Sequence, residues 1–107
     1  MAENVGLAPD ALIHDWNLTG RVTTYARTVE LDDETLRDGL QSPSVINPPI
    51  EKKIEILHLM GALGIHTADI GYAGSSLKAQ QDVIALARAS ARIKIDVNIA
   101  CRTALAD

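Results

Sequence analysis

Segments with the patterns of strands and helices alternate along this chain from Thr28 onward, and this order limits the folds that it can adopt. Residues 28–33 form the first strand candidate, in which Val29 and Leu31 share one face. Residues 65–71 and 93–100 form the second and third candidates, and the third has the clearest alternation of apolar and polar side chains. A strand, helix, strand, helix, strand order predicts βαβ units and a parallel sheet.

The first of the two predicted helices follows Asn47-Pro48-Pro49, where Asn47 is expected to cap the helix and a proline suits its first turn. Gly64 is expected to end it. Its apolar residues recur at helical spacing and are expected to pack over a sheet. They are Ile50, Ile54, Leu57 and Met60, with Ile56, Leu59 and Leu63 widening the stripe.

The second predicted helix covers residues 77–91, with Ser76 as its N-cap. Val83, Ile84 and Ala87 are expected to face inward. The resulting α/β order fits either an open doubly wound sheet or the opening third of a barrel. No glycine-rich dinucleotide motif or P-loop follows the first strand, so nucleotide binding has no motif support. The 107 residues are well short of the roughly 250 of a complete (β/α)8 barrel.

Charge and cysteine content exclude several classes of partner. The formal net charge is -4 and the acidic and basic residues are interspersed, so neither nucleic acid nor an anionic membrane is expected to bind. Cys101 is the only cysteine, which excludes a disulfide framework. We expect it to be a buried thiol and the protein to be cytoplasmic.

The residues that follow the first strand are the best candidates for chemistry, because parallel α/β folds place active sites at the carboxyl ends of their strands. Asp38 offers a hard oxygen ligand for a divalent metal, and Arg37 offers donors for a developing oxyanion. The alternative is that the two residues only satisfy each other or cap the next loop. Adjacent charges alone leave both interpretations open.

A longer string, Asp33-Glu34-Thr35-Leu36-Arg37-Asp38-Gly39-Leu40-Gln41, resembles the D-x-T-L-R-D-G-x-Q signature of the DRE-TIM metallolyase superfamily. This superfamily includes isopropylmalate synthases, homocitrate synthases and HMG-CoA lyases. Similarity continues through the Glu51-Lys52-Lys53 helix start, the Leu63-Gly64-Ile65 junction and Asp69-Ile70-Gly71-Tyr72, and it covers roughly residues 29–107. The resemblance implies a partial (β/α)8 barrel over residues 28–107, preceded by an extension, residues 1–27.

The resemblance also implies roles for individual residues. Arg37 would stabilise an enolate or an enolate-like transition state, Asp38 would bind a divalent metal (Mg, Mn or Zn), and Gln41 would lie in the same pocket as a catalytic residue. Asp69 stands where the family usually has Glu, and with Arg102 it would contact substrate. Arg37 would contact substrate as well.

The implied reaction is a metal-assisted Claisen condensation of acetyl-CoA with a 2-oxo acid, and the Thr35-Leu36 pair favours such condensing synthases. Leu40 resembles the lyases instead, so a carbon–carbon lyase of the same barrel is the alternative. A third possibility is a binding module that kept this unit without turnover.

The family completes its metal site with an H-x-H pair on a late strand, whereas His14, His58 and His66 stand apart and this chain has no H-x-H. We therefore expect an incomplete metal site and no catalysis by this chain alone. Three barrel strands would leave an open edge and an uncovered apolar face, so we also expect a homo-oligomer or a self-associating fragment.

Overall fold

Three parallel strands and two helices make up the part of the chain that the computed structural model describes, residues 27–104. The strands pair in the order β1-β2-β3, and both pairings are parallel. The fold is therefore α/β, as predicted, and it is compatible with a partial barrel. The predicted extension lies outside the described residues except for Arg27. The elements are β1 (Asp32–Asp33), α1 (Ile50–Leu63), β2 (Thr67–Tyr72), α2 (Leu77–Ser90) and β3 (Asp96–Ala100), with short 3-10 turns at Gly39–Gln41 and Ala73–Ser75.

Strand β1 is much shorter than the predicted residues 28–33, and a side chain explains why. His66 Nδ1 accepts the hydrogen bond of the Leu31 backbone N–H at 3.0 Å, which takes that donor out of the backbone ladder. Leu31 and Val29 remain 53% and 66% exposed. Strand β3 also begins later than predicted, because a turn in which the Ile93 N–H donates to Ser90 O follows α2. His66 thus links two strands at their amino ends.

Helix α1 ends as the sequence predicts but begins differently. Gly64 has φ 85°, and its N–H and that of Ile65 close the last turn on carbonyls of α1. The predicted Asn47 cap is wrong, because Pro49 is the N-cap residue and no side chain caps this end. Two consecutive prolines keep the chain extended here, since a residue before proline is driven away from the helical region. Asn47 is consequently too far upstream of Ile50 to act.

One hydrophobic core lies between the sheet and the two helices. Leu57 and Met60 of α1 are buried in it, whereas Leu59 and Leu63, which were predicted to widen the stripe, are 59% and 81% exposed. The core consists of Leu36, Leu57, Met60, Ala68, Ile70, Val83, Leu86 and Ile95. Neither helix in the described part of the chain is long and apolar enough to cross a membrane.

Helix α2 begins as predicted, with Ser76 Oγ accepting the Ala79 N–H at 3.1 Å. Val83 is buried and Ala87 packs against the core, but the inward position predicted for Ile84 is wrong, because its side chain is 45% exposed. Leu86 takes the inward position instead and is fully buried. A residue next to Val83 in sequence is rotated by about 100° around the helix, which turns Ile84 toward solvent.

A buried ion cluster joins the two helices. Lys53 Nζ of α1 donates to Asp82 Oδ2 of α2 at 2.8 Å, and Lys78 Nζ donates to Asp82 Oδ1 at 2.6 Å. Lys53 and Asp82 are buried, whereas Lys78 is exposed. Burial raises the pKa of the Asp82 carboxyl, but the hydrogen bonds from Lys53 and Lys78 outweigh it, so the pKa lies below its ordinary value. The ionised carboxylate is thus stabilised by folding.

Because the pKa of Asp82 is lowered, we expect the stability of the fold to fall at acid pH. The contribution of Asp82 is fully present above its unfolded-state pKa of about 4 and is lost as the pH falls through the lower, folded-state pKa. Lys78→Met should raise the folded-state pKa of Asp82, which shifts the loss to higher pH and reduces the difference in Tm between neutral and acid buffers. Thermal melts followed by circular dichroism would measure this difference.

Lys52→Met is the matched control for this prediction, because Lys52 lies on α1 in an exposed pair with Glu55. It should change the acid dependence less than Lys78→Met does. Equal changes in both variants would mean that Asp82 does not carry the effect.

Candidate active site

The loop after β1 is folded by its own polar groups. Asp33 Oδ1 accepts the Thr35 N–H at 2.8 Å, and Glu34 O accepts the N–H groups of Arg37 and Gly39 at 3.2 and 3.1 Å. An aspartate that bonds the backbone two residues ahead is typical of a tight turn. The turn fixes Arg37 and the next residue at the carboxyl end of β1, where the sequence predicts a site.

The guanidinium of Arg37 contacts three carboxylates. Its Nε donates to Asp69 Oδ2 at 3.0 Å, one terminal nitrogen pairs with Glu34, and the other lies 3.4 Å from Asp38 Oδ1. Asp69 belongs to β2, so this contact crosses from the first strand to the second. The Arg37–Asp38 pairing that the sequence left open is present, although it is longer than the Arg37–Asp69 contact.

Arg37 is a permanent cation, as guanidinium groups in proteins are, and its partners favour the charged form further. The hydrogen bond to Asp69 raises the pKa of the guanidinium, and Glu34 adds to the rise, while partial desolvation opposes it. The contacts also limit its rotation, since three of its nitrogens have fixed partners. A charged and oriented guanidinium is the kind of group that can donate to a developing oxyanion.

Asp69 is buried, and both of its carboxylate oxygens are engaged. Oδ2 accepts from Arg37, and Oδ1 accepts from the Gly71 N–H at 3.1 Å. The sequence predicts a substrate contact for this residue at the end of β2, whereas the structure places it in the middle of that strand, beside Arg37. Its bonding partners show that it holds Arg37 in position.

Asp38 is the carboxylate best placed for a metal ligand in this loop. Its side chain is 66% exposed, and its carboxylate forms an ion pair with Arg37. A carboxylate of this kind fits one hard oxygen ligand of a divalent cation. Residues 27–104 contain no cluster of three or more His, Cys, Asp or Glu side chains that could hold a metal. The described side chains therefore supply one metal ligand and not a complete coordination shell.

Gln41 and Arg37 line one cavity of about 330 Å³. The cavity lies between the loop after β1, the first turns of both helices and the end of β2. Gln41 is exposed, so it is accessible to a small molecule in this cavity. The remaining lining includes Lys53, Tyr72, Ser75, Lys78 and Asp82.

The third strand contributes Arg102 to the same edge of the sheet. Its guanidinium carbon lies 5.5 Å from the centre of the Tyr72 ring, within range of a cation–π interaction. Cys101, next to it, is exposed, so the predicted buried thiol is wrong. The buried core lies between the sheet and the helices. Cys101 follows the last residue of β3 and therefore lies beyond this core.

Sequence reasoning missed several residues of this region. Glu34 could have been found, because its spacing of three from Arg37 in a tight turn brings their side chains together. The Lys53–Asp82 pair joins residues 29 positions apart, and Tyr72 reaches Arg102 across strands. Such contacts depend on how the elements pack, and a single sequence carries no local signal for them.

Gly71 is essential to the path of β2 beneath this site. It has φ 145°, and a Cβ atom there would lie 2.9 Å from Val83 Cγ2. Gly71→Ala should therefore lower the free energy of unfolding by about 1–3 kcal/mol through backbone strain and the clash with Val83. Urea unfolding would measure the loss.

Gly39→Ala is the control for this substitution, because a Cβ atom at Gly39 would meet its neighbours at no less than 3.8 Å and the residue has no positive φ. It should be close to neutral. A Gly71→Ala variant as stable as the wild type would contradict the assigned backbone conformation.

One curated relative shares part of this sequence. A 2-isopropylmalate synthase from Brevibacillus brevis is 40% identical over 62 residues. The match covers 58% of this chain but 12% of that enzyme's length. No protein-family profile and no solved structure matches the chain. Over this region, the match suggests the 2-isopropylmalate synthase family or its superfamily.

Proposed function

We propose that residues 28–107 form the first part of a (β/α)8 barrel from an acyl-CoA-condensing synthase, with residues 1–27 as an extension before it. The observation that carries the proposal is the position of Arg37 and Asp38 at the carboxyl end of β1, with Arg37 held by Asp69 from β2. Active sites of barrels lie at this end of the strands. The partial likeness to a 2-isopropylmalate synthase supports the same reaction class.

In this proposal the substrates are acetyl-CoA and a 2-oxo acid. Arg37 donates hydrogen bonds to the oxygen of the acetyl enolate, and Gln41 lies in the pocket beside it. Arg102 orients the 2-oxo acid, Asp69 acts on the substrate through the Arg37 guanidinium that it holds, and Asp38 holds the divalent metal. When bound, the metal supplies Lewis-acid polarisation of the 2-oxo carbonyl. A proton leaves the acetyl methyl group, its carbon joins the 2-oxo carbonyl carbon, and the carbonyl oxygen takes up a proton. Water then cleaves the thioester to a carboxylate and free CoA.

We further propose that residues outside this chain's described part, on other strands or another subunit, complete the metal site, so this chain alone is not expected to turn over substrate. A homo-oligomer is the natural arrangement for strands with unpaired edges. The acidic net charge supports a protein that binds neither nucleic acid nor an anionic membrane, and we place it in the cytoplasm.

Paramagnetic broadening by Mn²⁺ would test the role of Asp38. In the presence of pyruvate as the 2-oxo acid, Mn²⁺ should selectively broaden the NMR amide signals of residues 36–41. Asp38→Asn should abolish this broadening, because it removes the exposed charged oxygen ligand. The measurement needs only weak binding, so it suits an incomplete coordination shell.

Asp96→Asn is the matched control, since Asp96 is an exposed aspartate at the amino end of β3. It should leave the broadening unchanged. Broadening that persists in Asp38→Asn, or that centres on Asp96, would contradict the proposed metal ligand.

A further inference from the structure

Strand β2 contains one extra residue relative to β3, directly beside the candidate site. Asp69 pairs with Asn98 and Tyr72 pairs with Ala100, so three steps along β2 match two steps along β3. In a regular strand, residues three apart point to opposite faces. The bulge changes this arrangement. Asn98 and Ala100 are two residues apart and share a face of the sheet, so their partners Asp69 and Tyr72 share that face too.

Two neighbouring residues occupy the other side of this bulge. Ile70 is buried in the core, and a Cβ atom at Gly71 would also point at α2, where it would meet Val83. Gly71 can follow this path because its φ of 145° is accessible to glycine. The bulge thus places Tyr72 on the face that carries Asp69, at the end of β2.

The turned tyrosine meets the arginine at the end of the next strand. The Arg102 guanidinium carbon lies 5.5 Å from the centre of the Tyr72 ring, and Tyr72 is also among the residues that line the cavity with Arg37. Strand β2 therefore contacts both arginines of the site, Arg37 through Asp69 and Arg102 through Tyr72. An aromatic face restricts a flexible guanidinium without consuming its N–H donors.

We propose that Tyr72 is a positioning residue, which the β2 bulge places under Arg102 so that this guanidinium can bind the carboxylate of the 2-oxo acid. The inference rests on the proposed function, since it requires the 2-oxo acid to bind at this edge. Tyr72 itself need not touch the ligand. Its ring face, and not its hydroxyl, does the positioning.

The proposal can be tested by NMR of the arginine side chains. The Arg102 Hε signal should be shifted upfield by the Tyr72 ring in the wild type and in Tyr72→Phe, and this shift should disappear in Tyr72→Leu. Titration with pyruvate in saturating Mg²⁺ should move the Arg102 signal. The apparent Kd should be about two- to five-fold higher in Tyr72→Leu than in the wild type or Tyr72→Phe, the change expected for loss of one cation–π contact.

Each other outcome identifies what failed. An Arg102 signal that is unchanged in Tyr72→Leu would overturn the positioning role and leave the proposed function intact. Equal pyruvate affinities in all three proteins would do the same. A wild-type protein in which pyruvate moves no signal of Arg37, Asp38 or Arg102 would contradict the proposed function, and the inference with it. Amide spectra of Tyr72→Leu that match those of the wild type and of Tyr72→Phe would show that the fold survives the substitution.

Discussion

Replacing Asp82 by asparagine is expected to lower the free energy of unfolding by about 3–5 kcal/mol, the cost of leaving a buried charge without its counter-ion. Lys53 is 7% exposed and donates to Asp82 at 2.8 Å, so its ammonium group would face a neutral amide. A loss of this size is a large fraction of the stability of a small domain. Urea unfolding of Asp82→Asn should show a much earlier midpoint, or no folded baseline.

Two further variants isolate the buried charge as the cause. Glu55→Gln breaks the exposed pair with Lys52 on α1 and should cost about 0.2–0.5 kcal/mol. The double variant Lys53→Met/Asp82→Leu removes both buried charges and should recover most of the lost stability, because apolar residues of similar volume can replace a buried ion pair. A double variant as unstable as Asp82→Asn would show that packing, and not charge, explains the loss.

Leu57→Ala is expected to destabilise the fold by about 2–5 kcal/mol, through the lost burial and the cavity left behind. Leu57 is fully buried at the centre of the core that α1 shares with the sheet and α2. Thermal or urea unfolding would measure the change.

Leu59→Ala offers a comparison on the same helix, because the Leu59 side chain is 59% exposed and lies outside the core. It should change the stability by less than about 0.5 kcal/mol. Similar losses at the two positions would mean that the α1 face assigned to the core is wrong.

Local patterns predicted the helices better than the strands. Helix period, the Ser76 cap and the Gly64 stop are properties of short stretches of sequence, and the structure has all three. The start of β1 depends on His66, 35 residues away from Leu31, so no local pattern could show it. The side of α2 that carries Ile84 was predicted wrongly because several apolar residues compete for the inward face, and packing chooses among them.

For the site, the sequence predicted which strand ends carry charged residues but not how those residues are arranged. Arg37 and Asp38 follow β1 as the pattern indicates. Asp69 is within bonding distance of Arg37, a contact that depends on the parallel pairing of β1 and β2. The extra residue in β2 is invisible in the sequence, since Gly71 could equally have ended a regular strand.

The three carboxylates around Arg37 have a consequence for any anionic ligand. One guanidinium and the carboxylates of Glu34, Asp38 and Asp69 leave a local formal charge of -2 at neutral pH. This field repels an anion at distances up to about 10 Å at an ionic strength of about 0.1 M. A divalent cation would cancel that charge, so the attraction of an anion to this edge should require a cation and should weaken if the cation is chelated, independently of any bond that the metal makes to the ligand.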